Sequence, residues 1–538
     1  MLFRSLGLPW DQPVPEELWP KVADYCENDV DATEAAFHFL KADWTARKIL
    51  ADLAEMSVNS TTNQLTTKII FGNDRKPQSQ FNYRDLSKPV SGEKYEEYRE
   101  KFGADYKFRV FDENGIPQFR DFEPWEILPD GWSILPFFPG YKYEYNPEKK
   151  KYISTYLGQE IGEGGRVYSE PGIYVNVWDG DISSQHPHSI IAEALFGPKF
   201  TKAFKQIVDG RVSIKHKAWS EIDEMLDGKL KPYIQKVING EMTASDLANA
   251  LKTAINSVYG LTSAKFDNPF RDQRNVDNIV AKRGALFMTL LKSQVEALGY
   301  KVCHIKTDSI KIPNADEKIK DFVIRFGKEY GYSFETEAEF EKFCIVNDSV
   351  YIAKDNDGTW HATGKQFAVP YVFKTLFTKE NITFEDMCET FAVKSALYLD
   401  MNEKESLPFD NEYQKDGEHN YVFIGKVGQF CPIKNGSGGG WLLREGKDPK
   451  TGEKKYDNAT GATGYRWMES EMVKTLSKES EIDRRYYDDL VTAAYNTISK
   501  YGDAEWFIHG DSSEVPPWNI ADAPLENSAS SDNVQLYV

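Results

Sequence analysis

An α+β fold is predicted from three stretches of this chain. Val175-Asn-Val-Trp-Asp179-Gly-Asp181-Ile182 is an apolar-rich strand pattern that ends in carboxylates. Val302-Cys-His304-Ile-Lys306-Thr307-Asp308-Ser309-Ile-Lys-Ile312 is a hairpin pattern that carries another. Between them lies Lys252-Thr-Ala-Ile-Asn256-Ser257-Val-Tyr259-Gly260. Lys252, Asn256 and Tyr259 recur at i, i+4 and i+7, so a helix gathers them on one face. Gly260 follows where such a helix would end.

Composition narrows the class. The chain has 538 residues, enough for two or more domains or subdomains around a large core. Its 41% apolar and 14% aromatic content is that of a globular chain. No apolar run reaches the roughly 18 residues of a membrane span. The start, Met-Leu-Phe-Arg-Ser-Leu-Gly-Leu-Pro, lacks the apolar core and cleavage site of a signal peptide. Cys26, Cys303, Cys344, Cys388 and Cys431 are widely spaced and form no Cys-x-x-Cys pair. That argues against a zinc site or disulfide framework and for a reducing cytoplasm. The net charge of −19 argues against a nucleic-acid binder, but local patches decide binding. One patch is plain: Lys199, Lys202, Lys205, Arg211, Lys215 and Lys217 stand against the single acid Asp209.

Taken in order, Tyr25-Cys-Glu-Asn-Asp29 opens a helical pattern. Trp44 to Met56 reads as a second helix, and Asn59 to Asn63 as a turn. No chemistry is visible from there to residue 150. Gly162-Glu-Gly164-Gly165 is either a simple turn or a place where glycines let a phosphate approach. Asp179 and Asp181, two apart on a strand, point to one face. His186-Pro187-His188 lacks a third nearby ligand, so a metal reading is the minority one. Lys199 to Lys217 and Asp246 to Tyr259 read as two helices, and Arg211 and Lys215 stand one helical turn apart. A lysine on a rigid helix suits a phosphate, and a tyrosine ring suits a base or sugar face. The bland alternative is an ordinary amphipathic helix with a snorkelling lysine. Asn275 to Leu298 reads as a long helix, Gly436 to Gly440 as a flexible loop open to a phosphate-cradle reading, and Ile482 to Tyr501 as a helix.

The order carboxylate strand, Lys-x-x-x-Asn-Ser-x-Tyr-Gly helix, carboxylate hairpin resembles motifs A, B and C of the family B DNA polymerases. The bacteriophage-type members are the most similar, and the likeness is best over residues 160–370. The resemblance implies a right-hand architecture with an RRM-like palm, helical-hairpin fingers and a mixed thumb. Its parts would be an exonuclease remnant (1–40), a connecting region (41–150), palm (151–197), fingers (198–260), palm again (261–400), and a thumb with a flexible tail (401–538). It implies template-directed addition of deoxynucleotides to a primer 3′-hydroxyl. Asp181 and Asp308 would be catalytic, and Asp181, Ile182 and Asp308 would hold two Mg2+ ions, with Mn2+ as a substitute.

The same resemblance gives Lys252, Asn256, Tyr259, Gly260, His186, Arg211 and Lys215 to the incoming nucleotide. It gives Lys306, Tyr351 and Lys365 to primer–template DNA. His186 takes the family's tyrosine position, and Lys306 takes that of the first motif C aspartate. The tyrosine of the family's Tyr-x-Gly-Gly element is missing ahead of Gly164. Tyr25 and Asp29 resemble the third exonuclease motif, whose partners are not found upstream, so a separate exonuclease-bearing chain is an expected partner. The expected setting is a host bacterial cytoplasm, with no membrane. The alternative is a catalytically weak polymerase-like scaffold that binds primer–template.

Overall fold

The computed structural model describes residues 13–103, 108–120, 122–123, 125–162, 164–222, 224–401 and 419–510. Glu163 and the polar tail expected after residue 520 lie outside them. The chain divides into two compact units. Of the described residues, one holds Ala23–Glu170 and Asn176–Glu339, and the other holds those up to Val22, Pro171–Val175 and those from Phe340 to Gly510. No helix among the described residues is long and apolar enough to cross a membrane.

The chain opens with α1 (Trp19–Phe39), α2 (Lys41–Ala54), α3 (Thr62–Phe71) and α4 (Tyr95–Phe102). A small antiparallel sheet follows, β1 (Lys142–Asn146), β2 (Lys151–Tyr156) and β3 (Gln159–Ile161). Next come β4 (Arg166–Ser169), β5 (Gly172–Ile182), α5 (Gln185–Ala192), α6 (Gly197–Lys215), α7 (Lys231–Ile238), α8 (Ala244–Ser263) and α9 (Ile279–Ala297). The first unit closes with β6 (His304–Thr307), β7 (Ser309–Pro313), α10 (Glu317–Glu329) and the start of β8 (Phe334–Asn347).

Within that unit the strands run in the order β8-β5-β7-β6-β4. Register sorts their side chains. Trp178 lies opposite Ile312, and Ile305 opposite Ile310, and all four are buried together under α9. Period-two alternation then turns the other set to the opposite face of the sheet: Asp179 and Asp181 on β5, Ser309 and Lys311 on β7, His304 and Lys306 on β6. Gly180 belongs to the core face, where the Trp178 indole folds across it. A Cβ there would meet the ring at 2.4 Å.

A second core joins α2, α3, α6, α7 and α8 through Leu50, Phe71, Phe204, Leu251 and Val258. Here α6 and α8 form the helical pair expected from the sequence.

The second unit contains β9 (Val350–Asp355), β10 (Trp360–Ala362), α11 (Lys365–Ala368), α12 (Pro370–Phe373) and a five-stranded antiparallel sheet. That sheet is β11 (Glu389–Asp400), β12 (Tyr421–Ile433), β13 (Trp441–Lys447), β14 (Lys454–Asn458) and β15 (Arg466–Glu469), in the order β14-β13-β11-β12-β15. Three helices complete it, α13 (Ser470–Thr475), α14 (Arg485–Ser499) and α15 (Ala504–His509). In the Gly436–Gly440 loop, two glycines allow close backbone approach. A Cβ on Gly439 would meet the Trp467 carbonyl at 2.7 Å, and one on Gly440 the Asp400 carbonyl at 2.7 Å.

Candidate active site

Asp308 sits in the turn between β6 and β7, where Lys306 pairs with Ser309 and leaves Thr307 and Asp308 as the loop. Thr307 takes a left-handed φ of 59°. Three contacts hold the turn. The Asp308 N–H donates to the Lys306 carbonyl at 2.8 Å, the Ile182 N–H donates to the Asp308 carbonyl at 2.9 Å, and Gln185 Nε2 donates to the Thr307 carbonyl at 2.9 Å. The end of β5 and the start of α5 therefore grip the hairpin and bring Asp308 beside Asp181. Gly165 packs on the same turn, since a Cβ there would meet Thr307 Cγ2 at 2.9 Å.

The Asp181 carboxyl feels its acidic neighbours. Burial, then Asp308, Asp179 and Glu337, push Asp181 up to about 7, against the pull of Lys311. Burial also raises Asp308, opposed by its backbone hydrogen bond and Lys311. Asp179 is engaged through one oxygen, Oδ2, while Oδ1 has no hydrogen-bond partner among the described residues. It is buried and paired with Lys311 Nζ at 2.7 Å, and Lys311 also donates to Ser309 Oγ at 3.2 Å. The cation next to the acids is thus Lys311, which sequence reasoning passed over. The signal was there, because Lys311 and Ser309 are two apart on one strand face.

Lys306, placed beside the metal by the motif likeness, stands two strands from Asp181 on the same face, beyond Ser309. It is exposed and makes no ion pair among the described residues. No group of three His, Cys, Asp or Glu residues able to hold a metal exists among the described residues. His186 and His188 diverge, His188 Nδ1 lying 3.0 Å from the Ser184 carbonyl.

On α8, Lys252 and Asn256 are exposed and Tyr259 is half-buried. The Tyr259 ring stacks on His186, centroids 4.1 Å apart and planes 14° apart. Burial lowers the His186 pKa, so the stacked imidazole is neutral near pH 7. Asn278, at the start of α9, donates to the Tyr259 hydroxyl at 3.4 Å. Lys252 stands two turns back, about 10 Å along the helix axis.

Gly260 does not end this helix, which continues to Ser263. Side chains take over the role a terminal glycine would play. Thr262 Oγ1 donates to the Tyr259 carbonyl at 2.8 Å, Asn268 Nδ2 to that of Leu261 at 3.0 Å, and Asn275 Nδ2 to that of Thr262 at 2.9 Å. Asn275 accordingly lies ahead of α9, which begins at Ile279.

On α6, a Cβ added to Gly210 would lie 3.6 Å from Leu251 Cδ1, so Arg211 and Lys252 each follow that crossing by one residue. Arg211 is half-buried and Lys215 exposed. The Lys199, Lys202 and Lys205 stripe is exposed, with Lys205 bonded to Asp209.

Tyr351 and Lys365 belong to the second unit. The Thr363 N–H donates to the Tyr351 carbonyl at 2.9 Å, and the Tyr351 ring packs on Phe343 with centroids 4.9 Å apart. Lys365 is exposed at the start of α11. Tyr25 and Asp29 stand one turn apart on α1, a helix with no buried residue.

No family model matches this chain, and no curated protein sequence does. Among solved structures, the family B DNA polymerase of the hyperthermophilic archaeon Pyrobaculum calidifontis aligns over 91% of this chain at 12% identity, with a TM-score of 0.39. The chain spans 57% of that polymerase's length.

Proposed function

We propose that this chain is a template-directed DNA polymerase that adds deoxynucleotides to a primer 3′-hydroxyl. The observation that carries the reading is the seating of Asp181 beside Asp308, within one stacked ring pair of the Lys252 helix.

The acids fit divalent metal. Both offer only acceptor oxygens when ionised, and burial raises both despite the pull of Lys311. Mg2+ prefers such oxygens and keeps several waters. With only two carboxylates and the Ile182 main chain from the protein, substrate phosphates and water would complete its shell. When bound, two such ions supply activation of the 3′-hydroxyl and stabilisation of the pyrophosphate.

The remaining work belongs to side chains. Lys252 would neutralise the triphosphate as a point charge, with Arg211 and Lys215 as further cations. Asn256 and Tyr259 would shape the nucleotide pocket. His186, neutral and flat against Tyr259, would fix that ring and crowd the sugar. Lys306, Tyr351 and Lys365 would meet primer–template DNA through phosphates and shape, because a copying enzyme cannot prefer one sequence.

Primer extension with Mg2+ and four deoxynucleotides, wild type beside Asp308→Ala, tests this. Extension by the wild type and its loss in the variant are expected. Wild-type protein that binds primer–template without extending it would establish the scaffold reading instead.

A further inference from the structure

The region between residues 41 and 150 carried no chemistry in the sequence, yet its end builds a surface of tyrosines. In the β1–β2 hairpin, Tyr145 faces Tyr152 and Tyr143 faces Ser154. Alternation puts these four on one face. The Tyr143 and Tyr152 rings are stacked with centroids 5.1 Å apart, and Tyr145 meets Tyr152 edge-on at 5.5 Å. Tyr145 and Tyr152 are 54% and 57% exposed, an unusual cost for two aromatic rings unless something covers them.

The same face leads inward. Ser154 Oγ and the Tyr141 hydroxyl both donate to Asp277 Oδ2 at the foot of the hairpin. There it opens on a cavity of about 720 Å³, lined by Tyr83, Tyr141 and Tyr143 together with the cations Lys88, Lys142 and Arg274 and the acids Asp85, Glu144 and Asp277. The buried Tyr83 hydroxyl has no hydrogen-bond partner among the described residues, and the Arg274 guanidinium lies 5.3 Å from the Tyr83 ring centroid. Asn278, next to Asp277, is the residue bonded to Tyr259.

On the hairpin itself charge agrees with an anionic occupant. Lys142, Lys149, Lys150 and Lys151 surround the hairpin against Glu144 and Glu148, in a chain whose net charge is −19. Lys149 is engaged by Glu160, while Lys142, Lys150 and Lys151 make no ion pair among the described residues.

We propose that this tyrosine face and the cavity it enters bind an unpaired nucleic-acid strand. Bases stack on Tyr143, Tyr145 and Tyr152, and the lysines draw the phosphates. A duplex cannot use these rings, since its bases are already stacked on each other. Naming that strand as the template overhang rests on the polymerase reading; the binding itself does not.

Fluorescence anisotropy of a dye-labelled oligothymidine with the full chain tests the proposal. Substituting Tyr145→Ala with Tyr152→Ala is expected to weaken binding roughly tenfold or more. Tyr152→Trp should stay close to wild type, because it keeps a stacking surface. Lys150→Glu with Lys151→Glu should weaken binding and flatten its salt dependence, an independent check should the tyrosine variant fold poorly. An unlabelled single strand should compete better than a blunt duplex. Unchanged affinity in the tyrosine and lysine variants, no binding by wild type, or better competition by the duplex overturns the proposal. Strand binding without primer extension keeps this proposal and removes the polymerase reading, and extension with tyrosine-independent strand binding does the reverse.

Discussion

Asp179 and Lys311 show how much a single buried pair can weigh near a charged site. Their side chains are 8% and 5% exposed. Removing one partner strands the other charge in a poorly solvated place, at a cost of about 3–5 kcal/mol. Lys311→Met should therefore lower stability by roughly 3 kcal/mol or more. Joining it with Asp179→Leu should restore most of the loss, read from urea denaturation. Asp181 has a pH signature with a definite sign. Its carboxyl ionises near 3.8 in an ordinary setting and at about 7 in the fold. Between those values the folded state holds more protons than the unfolded chain, so stability falls as pH rises. A wholly buried carboxyl moved this far would carry about 4 kcal/mol. Partial exposure and screening bring that to about 1–2 kcal/mol. Thermal melts in chelator at pH 5 and pH 8 should show this decline in the wild type, and Asp181→Asn should remove most of it.

At the scale of elements, α8 depends on its two ends. Thr243 and Asp246 form a reciprocal capping box at its start. Thr243→Ala should cost about 1 kcal/mol of stability, measured by denaturation. Lys252→Ala should leave stability within about 0.5 kcal/mol, because the residue is exposed, while weakening deoxynucleotide binding. Equal nucleotide affinity in that variant would remove Lys252 from the site. The face bearing Lys252, Asn256 and Tyr259 was legible because a helical period is local. The end of the helix was not. Gly260 is a helix-stop signal by composition, but Asn268 and Asn275, distant from it in the turn, cap the carbonyls and let the helix run on.

The whole first unit is tied together by a buried ion network. Glu193 accepts from Arg84 Nε at 2.7 Å and from Arg283 Nε at 2.7 Å, and Arg283 Nη2 also donates to the Tyr330 carbonyl at 2.8 Å. These groups come from the segment before β1, the end of α5, the start of α9 and the end of α10. The two arginines hold the Glu193 carboxyl below its usual range in spite of burial. Glu193→Ala leaves two cations facing a void and should lower stability by about 3–5 kcal/mol, with an early melting transition as the readout. Nothing in the sequence singled out Glu193, Arg84 or Arg283, because charged residues are exposed by default and their pairing is decided over long separations.

Local pattern alone determined the strand that ends in Asp181, the hairpin that carries Asp308, and the helix face of Lys252, Asn256 and Tyr259. Each follows from a period of two or 3.6 residues read within one stretch. Only the tertiary structure decided that Lys311 neutralises Asp179, that His186 stacks on Tyr259, that Gly165 makes room for Thr307, and that Tyr143, Tyr145 and Tyr152 lead to a cavity. Those facts depend on register between strands and on packing between helices far apart in the chain. Burying Trp178, Ile305, Ile310 and Ile312 on one side of a sheet is what sets that register, and the site on the other side follows from it.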